Sequence, residues 1–266
     1  ENSGGAGIDI REFHPEVSGI KSVMNQLVGI QVIDSSNVKI EHANTSFNGQ
    51  GASSDQSGAG FLFLRSNDVV SSGKDVMCLE CRSTEDRSGF SIIDSIDLKL
   101  KNISVFDPSS GNAILADGTD LQRPGYVEIL GAEIRSNHTD TGISLQSIDG
   151  RLRDVDFSGT SFEWSANGLV PSSIQDSTLD LSSNCMVFSN FLDLRGTNVS
   201  FRCQNGNPIE FTSSNITMVD ASIVGGSTLS LSSGSNVNWV SSTNLSSPLS
   251  DDPNDKLMIS WFIDVE

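Results

Sequence analysis

Apolar and polar residues alternate in short phrases that recur along most of the chain. Each phrase is an apolar residue, a polar residue and a second apolar residue, as in Val38-Lys39-Ile40. Because successive side chains of a β-strand point to opposite faces, this alternation predicts strands with one dry and one wet face. The phrases have their two outer positions at Val38/Ile40, Leu98/Leu100, Val127/Ile129, Leu152/Asp154, Leu179/Leu181, Val199/Phe201, Ile216/Met218 and Val237/Trp239. Only Asp154 among them is not apolar.

The spacing around these phrases favours a solenoid. In several phrases a further apolar residue follows seven positions after the first one, namely Val105, Ile134, Met186 and Ile223. A strand, a corner and a second strand would give this spacing, and the connections are too short for the helical crossovers of an ordinary parallel sheet. Many phrases are preceded by turn-forming residues, such as Asn37, Asp97, Asn198 and Asn236.

We therefore predict an all-β fold, a parallel β-helix solenoid in which each coil stacks on the one before it. An antiparallel β-sandwich or jelly roll is the alternative, because short strands separated by turns fit that architecture as well. The solenoid interpretation makes a specific prediction about register. It places six apolar residues in single file along a common core, namely Val38, Leu98, Val127, Leu179, Val199 and Ile216.

The phrases resemble the repeats of right-handed parallel β-helix proteins of the pectate-lyase-like kind, in particular the repeat regions of large secreted or surface-attached prokaryotic proteins. The resemblance spans Val32 to Asn244 and is carried by a degenerate pattern. It implies a right-handed solenoid, a fold shared by polysaccharide lyases, glycosidases, phage tailspikes, adhesins and surface filaments. Fold alone does not choose among these functions.

The two ends of the chain differ from its middle. We therefore divide the sequence into a cap region (1–31), a β-helix (32–248) and an exit linker and strand that leads towards a following domain (249–266). Phe13 to Val28 has helix-like spacing, and a helix there would cover the open edge of the first coil. The chain opens at Glu1 without an initiator Met or a signal-peptide pattern, which is typical of a mature or excised segment.

Charge and composition narrow the set of partners. The chain has 16 basic and 34 acidic residues, a formal net charge of −18 and a pI near 4.3. Such a charge repels phosphate backbones, so nucleic acid is not a predicted partner. No apolar run approaches the roughly 20 residues that span a bilayer, so no membrane-spanning segment is predicted. Carbohydrate and neighbouring copies of the chain are the predicted partners.

The four cysteines, Cys78, Cys81, Cys185 and Cys203, permit two disulfides but do not require them. The first two form a C-x-x-C motif, which fits a local disulfide, free thiols, half of a zinc site or a redox pair. A zinc site needs two more ligands, and the sequence has neither a second C-x-x-C motif nor a His pair. A redox pair needs the start of a helix in a βαβ unit, whereas the flanking sequence is typical of loops.

Candidate catalytic residues are few. Glycoside hydrolysis needs two carboxylates on either side of the scissile bond, and Asp117 and Asp120 of the DGTD segment are weak candidates for them if the chain is an enzyme. No catalytic residue is assigned and no cofactor is identified. Lyases of this fold bind calcium through acidic side chains, so calcium is the one candidate cofactor, with unknown ligands. The three histidines, His14, His42 and His138, lie in polar contexts and are predicted at the surface.

Two further features concern the surface of the predicted solenoid. The candidate glycosylation sites are the asparagines of six sequons: Asn44, Asn102, Asn137, Asn198, Asn215 and Asn244. Because the chain is rich in Asn, Ser and Thr, composition explains most of these sequons. The middle residues of the phrases also predict an outward column in which opposite charges lie on neighbouring strands, formed by Lys39, Lys99, Glu128, Arg153 and Asp180.

Together these features lead us to expect a non-enzymatic extracellular or cell-surface module with a structural or adhesive role. Such a module would be a stiff spacer, a filament subunit or a carbohydrate-facing surface. The alternatives are a polysaccharide lyase or glycoside hydrolase, and a viral tailspike or fibre. The sequence supports the scaffold more strongly than it supports any particular chemistry.

Overall fold

The computed structural model describes residues 5–11, 16–54, 57–66, 76–95, 97–119, 125–136, 142–182, 186–204, 208–224, 228–240, 249–250 and 252–260. All the regular secondary structure in these ranges is β-strand. They contain no helix with the length and apolar character that crossing a membrane requires.

The strands in chain order are β1 (Ile8–Ile10), β2 (Glu16–Ser18), β3 (Lys21–Val23), β4 (Ile30–Ile33), β5 (Lys39–Glu41), β6 (Asn44–Ser46), β7 (Ala59–Leu64), β8 (Val76–Leu79), β9 (Arg82–Thr84), β10 (Ser88–Ile93), β11 (Leu98–Phe106), β12 (Ile114–Asp117) and β13 (Gly125–Arg135). They continue with β14 (Gly142–Gln146), β15 (Ile148–Gly159), β16 (Ser161–Ser165), β17 (Ser172–Leu181), β18 (Met186–Ser189), β19 (Leu194–Cys203), β20 (Ile209–Thr212), β21 (Asn215–Val219), β22 (Ser222–Val224), β23 (Leu229–Ser232), β24 (Asn236–Val240), β25 (Leu249–Ser250) and β26 (Lys256–Ser260).

These strands form a parallel β-solenoid with two sheets. The smaller sheet has 11 strands in the order β1-β4-β7-β10-β12-β14-β16-β18-β20-β23-β25. The larger sheet has 15 strands, and its main path is β2-β5-β8-β11-β13-β15-β17-β19-β21-β24-β26. The chain alternates between the sheets, and the strand pairs are parallel throughout, for example β13 with β15 and β16 with β18. The predicted all-β parallel solenoid is therefore confirmed, and the antiparallel sandwich or jelly roll is wrong.

The predicted single file is correct for some residues and wrong for others. Leu98 pairs with Val127, and Ile216 pairs with Leu194 in the same interior file. Leu179 and Val199 do not belong to this file, because each lies beyond a corner that, from Gly19 to Asp220, divides each coil's part of the larger sheet into two segments. The two segments share one alternating pattern of apolar and polar residues. The phrase Thr178–Leu181 (TLDL), after the corner, therefore looks like the phrase Asp97–Leu100 (DLKL), before the corner. Met186, predicted beside Val105 and Ile134, lies instead in the smaller sheet.

A file of residues with positive φ forms this corner. Its members follow the register of the larger sheet and have φ between 48° and 67°: Gly19, His42, Glu80, Asn102, Gly131, Asp154, Asp176, Asn198 and Asp220. Left-handed backbone is unfavourable for most residues, and Asn, Asp and His are enriched among the exceptions. Asp154, the one polar exception among the phrases, is polar because it forms this corner.

One hydrophobic cluster runs through the interior from Ile10 to Trp239. In the C-terminal half its largest side chains are aromatic rings that contact one another in tilted or edge-to-face arrangements, whereas Phe61 and Phe90 of the N-terminal half stack face to face. Phe188 lies with its ring centroid 5.4 Å from that of Phe162 and 5.4 Å from that of Phe211. The edge of Trp164 packs on Phe191, and the Trp164 indole donates a hydrogen bond to the carbonyl of Ile148. This half is therefore held by packing of large apolar groups.

The helix predicted between Phe13 and Val28 is wrong for the described part of that segment. Glu16–Ser18 and Lys21–Val23 are strands that pair with β5 and β6 of the next coil. The helix-like spacing came from two strand segments and a corner at Gly19. At the other end, β26 continues the larger sheet by pairing with β24. The division into cap, β-helix and exit segment stays a prediction, although strands of both end regions pair with the sheets.

Candidate functional site

The outer face of the larger sheet carries an open groove near its C-terminal end. The groove has a volume of about 430 Å³ and crosses four coils. Two outward columns line it, and both follow from the register of the strands. The first runs Asp193, Asn215, Asn236, Lys256 and the second runs Thr217, Asn238, Met258. Because the solenoid stacks equivalent positions, residues far apart in sequence form one continuous surface.

Amide groups dominate the first column of the groove. The Asn236 Nδ2 donates to Asn215 Oδ1 at 3.2 Å, and the Asn215 Nδ2 donates to the carbonyl oxygen of Leu192 at 3.2 Å. At the rim, Asp193 accepts from the guanidinium of Arg195 at 2.9 Å. These bonds fix the side chains in place without using all of their hydrogen-bonding capacity, since each amide has two acceptor sites and two donors.

The second column supplies an unpartnered acceptor above an apolar base. The side-chain oxygen of Asn238 is buried and has no hydrogen-bond partner. A buried polar atom without a partner is uncommon in folded proteins, because its desolvation is not compensated. Beside it Met258 is 63% exposed and supplies apolar surface, whereas Val237 and Leu257 at the base of the groove pack into the core. The groove therefore offers amides, a hydroxyl and apolar contact area to a ligand that can donate hydrogen bonds.

A second polar cluster lies inside the N-terminal coils, where no ligand can reach it. Asp86 is fully buried, and its Oδ2 accepts from the hydroxyls of Ser83 and Thr45, each at 2.6 Å. Its Oδ1 accepts from the backbone N–H and the Nδ2 of Asn48, both at 2.8 Å. The Asn48 Oδ1 in turn accepts from Asn25 Nδ2 at 2.7 Å. We call Asn25, Asn48 and Asp86 the polar ladder.

Burial dominates the electrostatics of the polar ladder. It raises the pKa of Asp86 above its ordinary value, because desolvation disfavours the charged form. The hydrogen bonds from Ser83, Thr45 and Asn48 act in the opposite direction. The hydrogen bonds saturate the carboxylate from within the molecule, so the ladder is a structural element that links three coils. The polar ladder was not predicted from the sequence. Its signal in the sequence is a hydroxyl residue followed three positions later by Asn or Asp, which occurs at Ser22/Asn25, Thr45/Asn48 and Ser83/Asp86.

Of the two carboxylate candidates, the structure describes only Asp117. Asp117 ends β12, and its Oδ1 accepts from the backbone N–H of Thr119 at 2.9 Å and from the Thr119 hydroxyl at 2.6 Å. This is a local turn at the end of a strand. Asp120 lies outside the described residues. Within the described ranges, no group of three or more His, Cys, Asp or Glu side chains could hold a metal ion, so the calcium hypothesis gains no ligand set there.

The C-x-x-C motif forms a disulfide between Cys78 and Cys81. Both side chains are buried, on the two sides of the corner residue Glu80, so the bond braces the corner from inside. Cys203 is also disulfide-bonded and buried. Cys185, the remaining cysteine of the sequence, lies outside the described residues.

Four of the six sequon asparagines lie within the described residues, and all four are exposed: Asn44, Asn102, Asn198 and Asn215. The other two, Asn137 and Asn244, lie outside them. Asn102 and Asn198 belong to the corner file, where Asn is favoured for its backbone conformation alone. Asn215 lines the groove, so a glycan attached to it would occupy the groove. Glycosylation stays a prediction.

The predicted outward charge column is correct only in part. Lys99 lies beside Glu128 on the next strand, with Nζ 3.5 Å from Oε2. Met77 separates Lys39 from Lys99, and Arg151 follows Glu128 in the column. Arg153 lies in the neighbouring column, and Asp180 lies beyond the corner. As in the interior file, the prediction failed because the strand segments before and after the corner show the same alternation of apolar and polar residues. His42 was predicted at the surface, and it is exposed at the corner, where its Nδ1 lies 2.9 Å from Glu80 Oε2.

No protein-family model matches this chain, and no curated protein matches its sequence. The fold and the outer face of the larger sheet are therefore the basis for inferring function.

Proposed function

We propose that this chain is a non-enzymatic structural or adhesive module of an extracellular protein, and that its groove faces carbohydrate. The observation that carries the proposal is the combination of amide and hydroxyl side chains with exposed apolar area in one groove. A neutral sugar presents the complementary set, with hydroxyls around the ring and C–H groups on its faces. Each hydroxyl both donates and accepts, which matches the paired donors and acceptors of Asn side chains.

The unpartnered oxygen of Asn238 gives this proposal its most specific support. Asn238 lines the groove, and a small rotation of its side chain would bring the unpartnered oxygen to the groove surface. A sugar hydroxyl that donates to it there would compensate the desolvation that the free protein leaves uncompensated. Met258, exposed beside it, offers apolar contact to a sugar face. The same two residues lie on adjacent strands, so one sugar unit can meet both.

The continuous pairing of parallel strands from coil to coil supports the structural part of the proposal. Stability in such a stack accumulates from neighbour to neighbour, which favours a stiff rod. A stiff rod with a flat binding face suits a spacer, a filament subunit or an adhesive surface. The resemblance to repeat regions of surface proteins supports the extracellular location that we propose.

Substitution of Asn238 by Leu tests the groove. This change keeps the size of the side chain and removes the acceptor, so we expect neutral oligosaccharides to bind about three- to tenfold more weakly, the equivalent of one hydrogen bond. Ligands are first found on an array of neutral and acidic glycans, and affinities are then measured by isothermal titration calorimetry. Ser173→Ala, on the same outward column but outside the groove, is the matched control and should bind normally. Absence of any neutral ligand, or equal binding by Asn238→Leu, would contradict the proposal.

Incubation with acidic and neutral polysaccharides tests the enzymatic alternative. We expect neither new reducing ends nor unsaturated products. Products that form with the unchanged protein and disappear with Asp117→Asn would overturn the non-enzymatic assignment. Circular dichroism on both proteins separates loss of chemistry from loss of the fold.

A further inference from the structure

Lysine and arginine are distributed unequally between the two sheets. The strands of the smaller sheet contain neither, and their charged residues are Asp9, Asp117, Glu163 and Glu210. The strands of the larger sheet contain most of the 16 basic residues of the chain. In a molecule with a net charge of −18, the outer face of the larger sheet is therefore where an anionic partner would meet cations at short range. The same strands also carry nine acidic residues, so the larger sheet has a slight excess of positive charge within an acidic molecule. At physiological ionic strength the Debye length is about 8 Å, so acidic residues elsewhere on the molecule are largely screened from it.

Four of these cations recur at a fixed interval in one outward column. They stand on every second strand, namely on β5, β11, β15 and β19, and we call them the cation ladder: Lys39, Lys99, Arg151 and Arg195. The strands between them place Met77, Glu128 and Ser173 in the same column. Because neighbouring strands lie about 4.7–4.9 Å apart, the cations recur about every 10 Å along the solenoid axis.

A second pair of cations reinforces the centre of the ladder. Lys101 and Arg153 occupy the adjacent outward column on β11 and β15, the strands that also carry Lys99 and Arg151. Leu130 lies between Lys101 and Arg153 on β13. Four cations therefore surround a half-buried apolar side chain, on which the face of a sugar ring can pack.

The existing partners of the ladder leave it available to a ligand. Lys39 pairs with Glu41 at 2.8 Å, Lys99 with Glu128 at 3.5 Å and Arg195 with Asp193 at 2.8 Å, all at partly or fully exposed positions where ion pairs contribute little. Arg151 donates from Nη2 to the neutral oxygen of Gln175 at 3.0 Å. Because a guanidinium carries five N–H donors, a bond to one neutral acceptor leaves its positive charge uncompensated at the middle of the ladder.

We propose that the cation ladder binds a linear acidic polysaccharide that carries one carboxylate or sulfate group per disaccharide and runs along the solenoid axis. Two linked pyranose rings in an extended chain are about as long as two strand spacings, about 10 Å, so successive acid groups meet successive cations. A polymer with an acid on every ring places each second acid beside Met77, Glu128 or Ser173, and Glu128 repels it. This second ligand class goes beyond the neutral sugars proposed for the groove and depends on different residues.

Affinity measurements with four polymers test this proposal. The probes are a polymer that alternates a uronate with a neutral sugar, a sulfated polymer with the same repeat, a polyuronate with an acid on every ring, and a neutral polymer. We expect the first or second probe to bind, more weakly as salt is added, and a preference between them identifies the acid group. The double variant Lys99→Gln with Arg151→Gln should bind roughly tenfold more weakly, as expected for two lost exposed ion pairs.

The matched control is Lys21→Gln with Arg202→Gln, which removes the same charge from the same sheet but away from the ladder. It should bind normally. If the ladder variant does not fold, as judged by circular dichroism, Lys39→Gln with Lys99→Gln, which removes two ladder cations and keeps Arg151, gives the same test. Three results would overturn the proposal: no acidic polymer binds, the control loses as much affinity as the ladder variant, or the polyuronate binds as tightly as the alternating polymers. None of these results depends on Asn238 or on the groove.

Discussion

The N-terminal and C-terminal coils share one hydrogen-bonded ladder but have different interiors. A single interior file shows the change, because it is polar in three coils and apolar in the next six: Ser22, Thr45, Ser83, Val105, Ile134, Phe157, Leu179, Phe201 and Ile223. In the first three coils the hydroxyls belong to the network of the polar ladder. In the later coils the same positions belong to the hydrophobic core, and two of them, Phe157 and Phe201, contact its aromatic rings.

The difference teaches how one backbone accommodates two kinds of core. Directional hydrogen bonds specify register in the polar coils, since each group of the ladder has its partner in the next coil. Glycines opposite the ladder make room for it: a side chain at Gly29 would come within 2.8 Å of Asn48 Nδ2. In the apolar coils register follows from the fit of large side chains, which is less directional but buries more area.

Phe188→Ala should have the largest effect on stability. The ring contacts Phe162 and Phe211 in the two adjacent coils, so its removal leaves a cavity across three coils. We expect the free energy of unfolding to fall by about 3–5 kcal/mol. Denaturant unfolding measures the change. Phe47→Ala, at an exposed position, is the control and should cost less than about 0.5 kcal/mol. Equal losses in the two variants would show that the rings do not carry the C-terminal core.

Asp86→Ala should rank next and should affect the polar coils. It leaves two hydroxyls and the amide of Asn48 without their acceptor, and we expect a loss of about 3 kcal/mol. Asp86→Asn keeps the size and one acceptor oxygen, so it should lose less. Denaturant unfolding of both variants measures the difference. If the two variants were equally stable, the hydrogen bonds of the ladder would not be what holds these coils.

Gly60→Ala should destabilise the polar ladder by crowding it from the facing strand. The added Cβ would lie 2.5 Å from Thr45 Oγ1 and 2.7 Å from Ser83 Oγ, which forces the hydroxyls away from Asp86. We expect a loss of about 2 kcal/mol in the free energy of unfolding, typical of overpacking. Gly5→Ala, where an added Cβ meets nothing within 4 Å, should change little. A neutral Gly60→Ala would mean that the ladder has room to move.

The pH dependence of stability should give the smallest effect. Because burial raises the pKa of Asp86, the folded state holds the proton more tightly than the unfolded state does. The resulting stabilisation is complete below the unfolded pKa of about 3.9 and is lost as pH rises through the folded pKa. The unchanged protein should therefore lose stability relative to Asp86→Asn as pH rises from about 4. A difference that stayed constant with pH would show that Asp86 does not titrate differently on folding.

The sequence predicts the parallel solenoid because alternation and short connections leave few other ways to bury the apolar residues. It also indicates the corners, since Asn37, Asp97 and Asn198 all have positive φ. The sequence does not show whether a given phrase lies before or after the corner of the larger sheet, because the strand segments on both sides of the corner show the same alternation. The groove is unpredictable for a related reason: it depends on the register of three coils, which sets Asn238 beside Thr217 and Met258.

Amide hydrogen exchange, resolved by strand, tests the central claim that one solenoid contains two interiors held by neighbouring coils. In Asp86→Ala, we predict that protection falls in β3, β6 and β9 and stays unchanged in β16, β18 and β20. In Phe188→Ala, we predict the reverse. If either variant lowered protection evenly along the whole chain, or lowered it in the distant coils, the division into a hydrogen-bonded and a ring-packed interior would be contradicted.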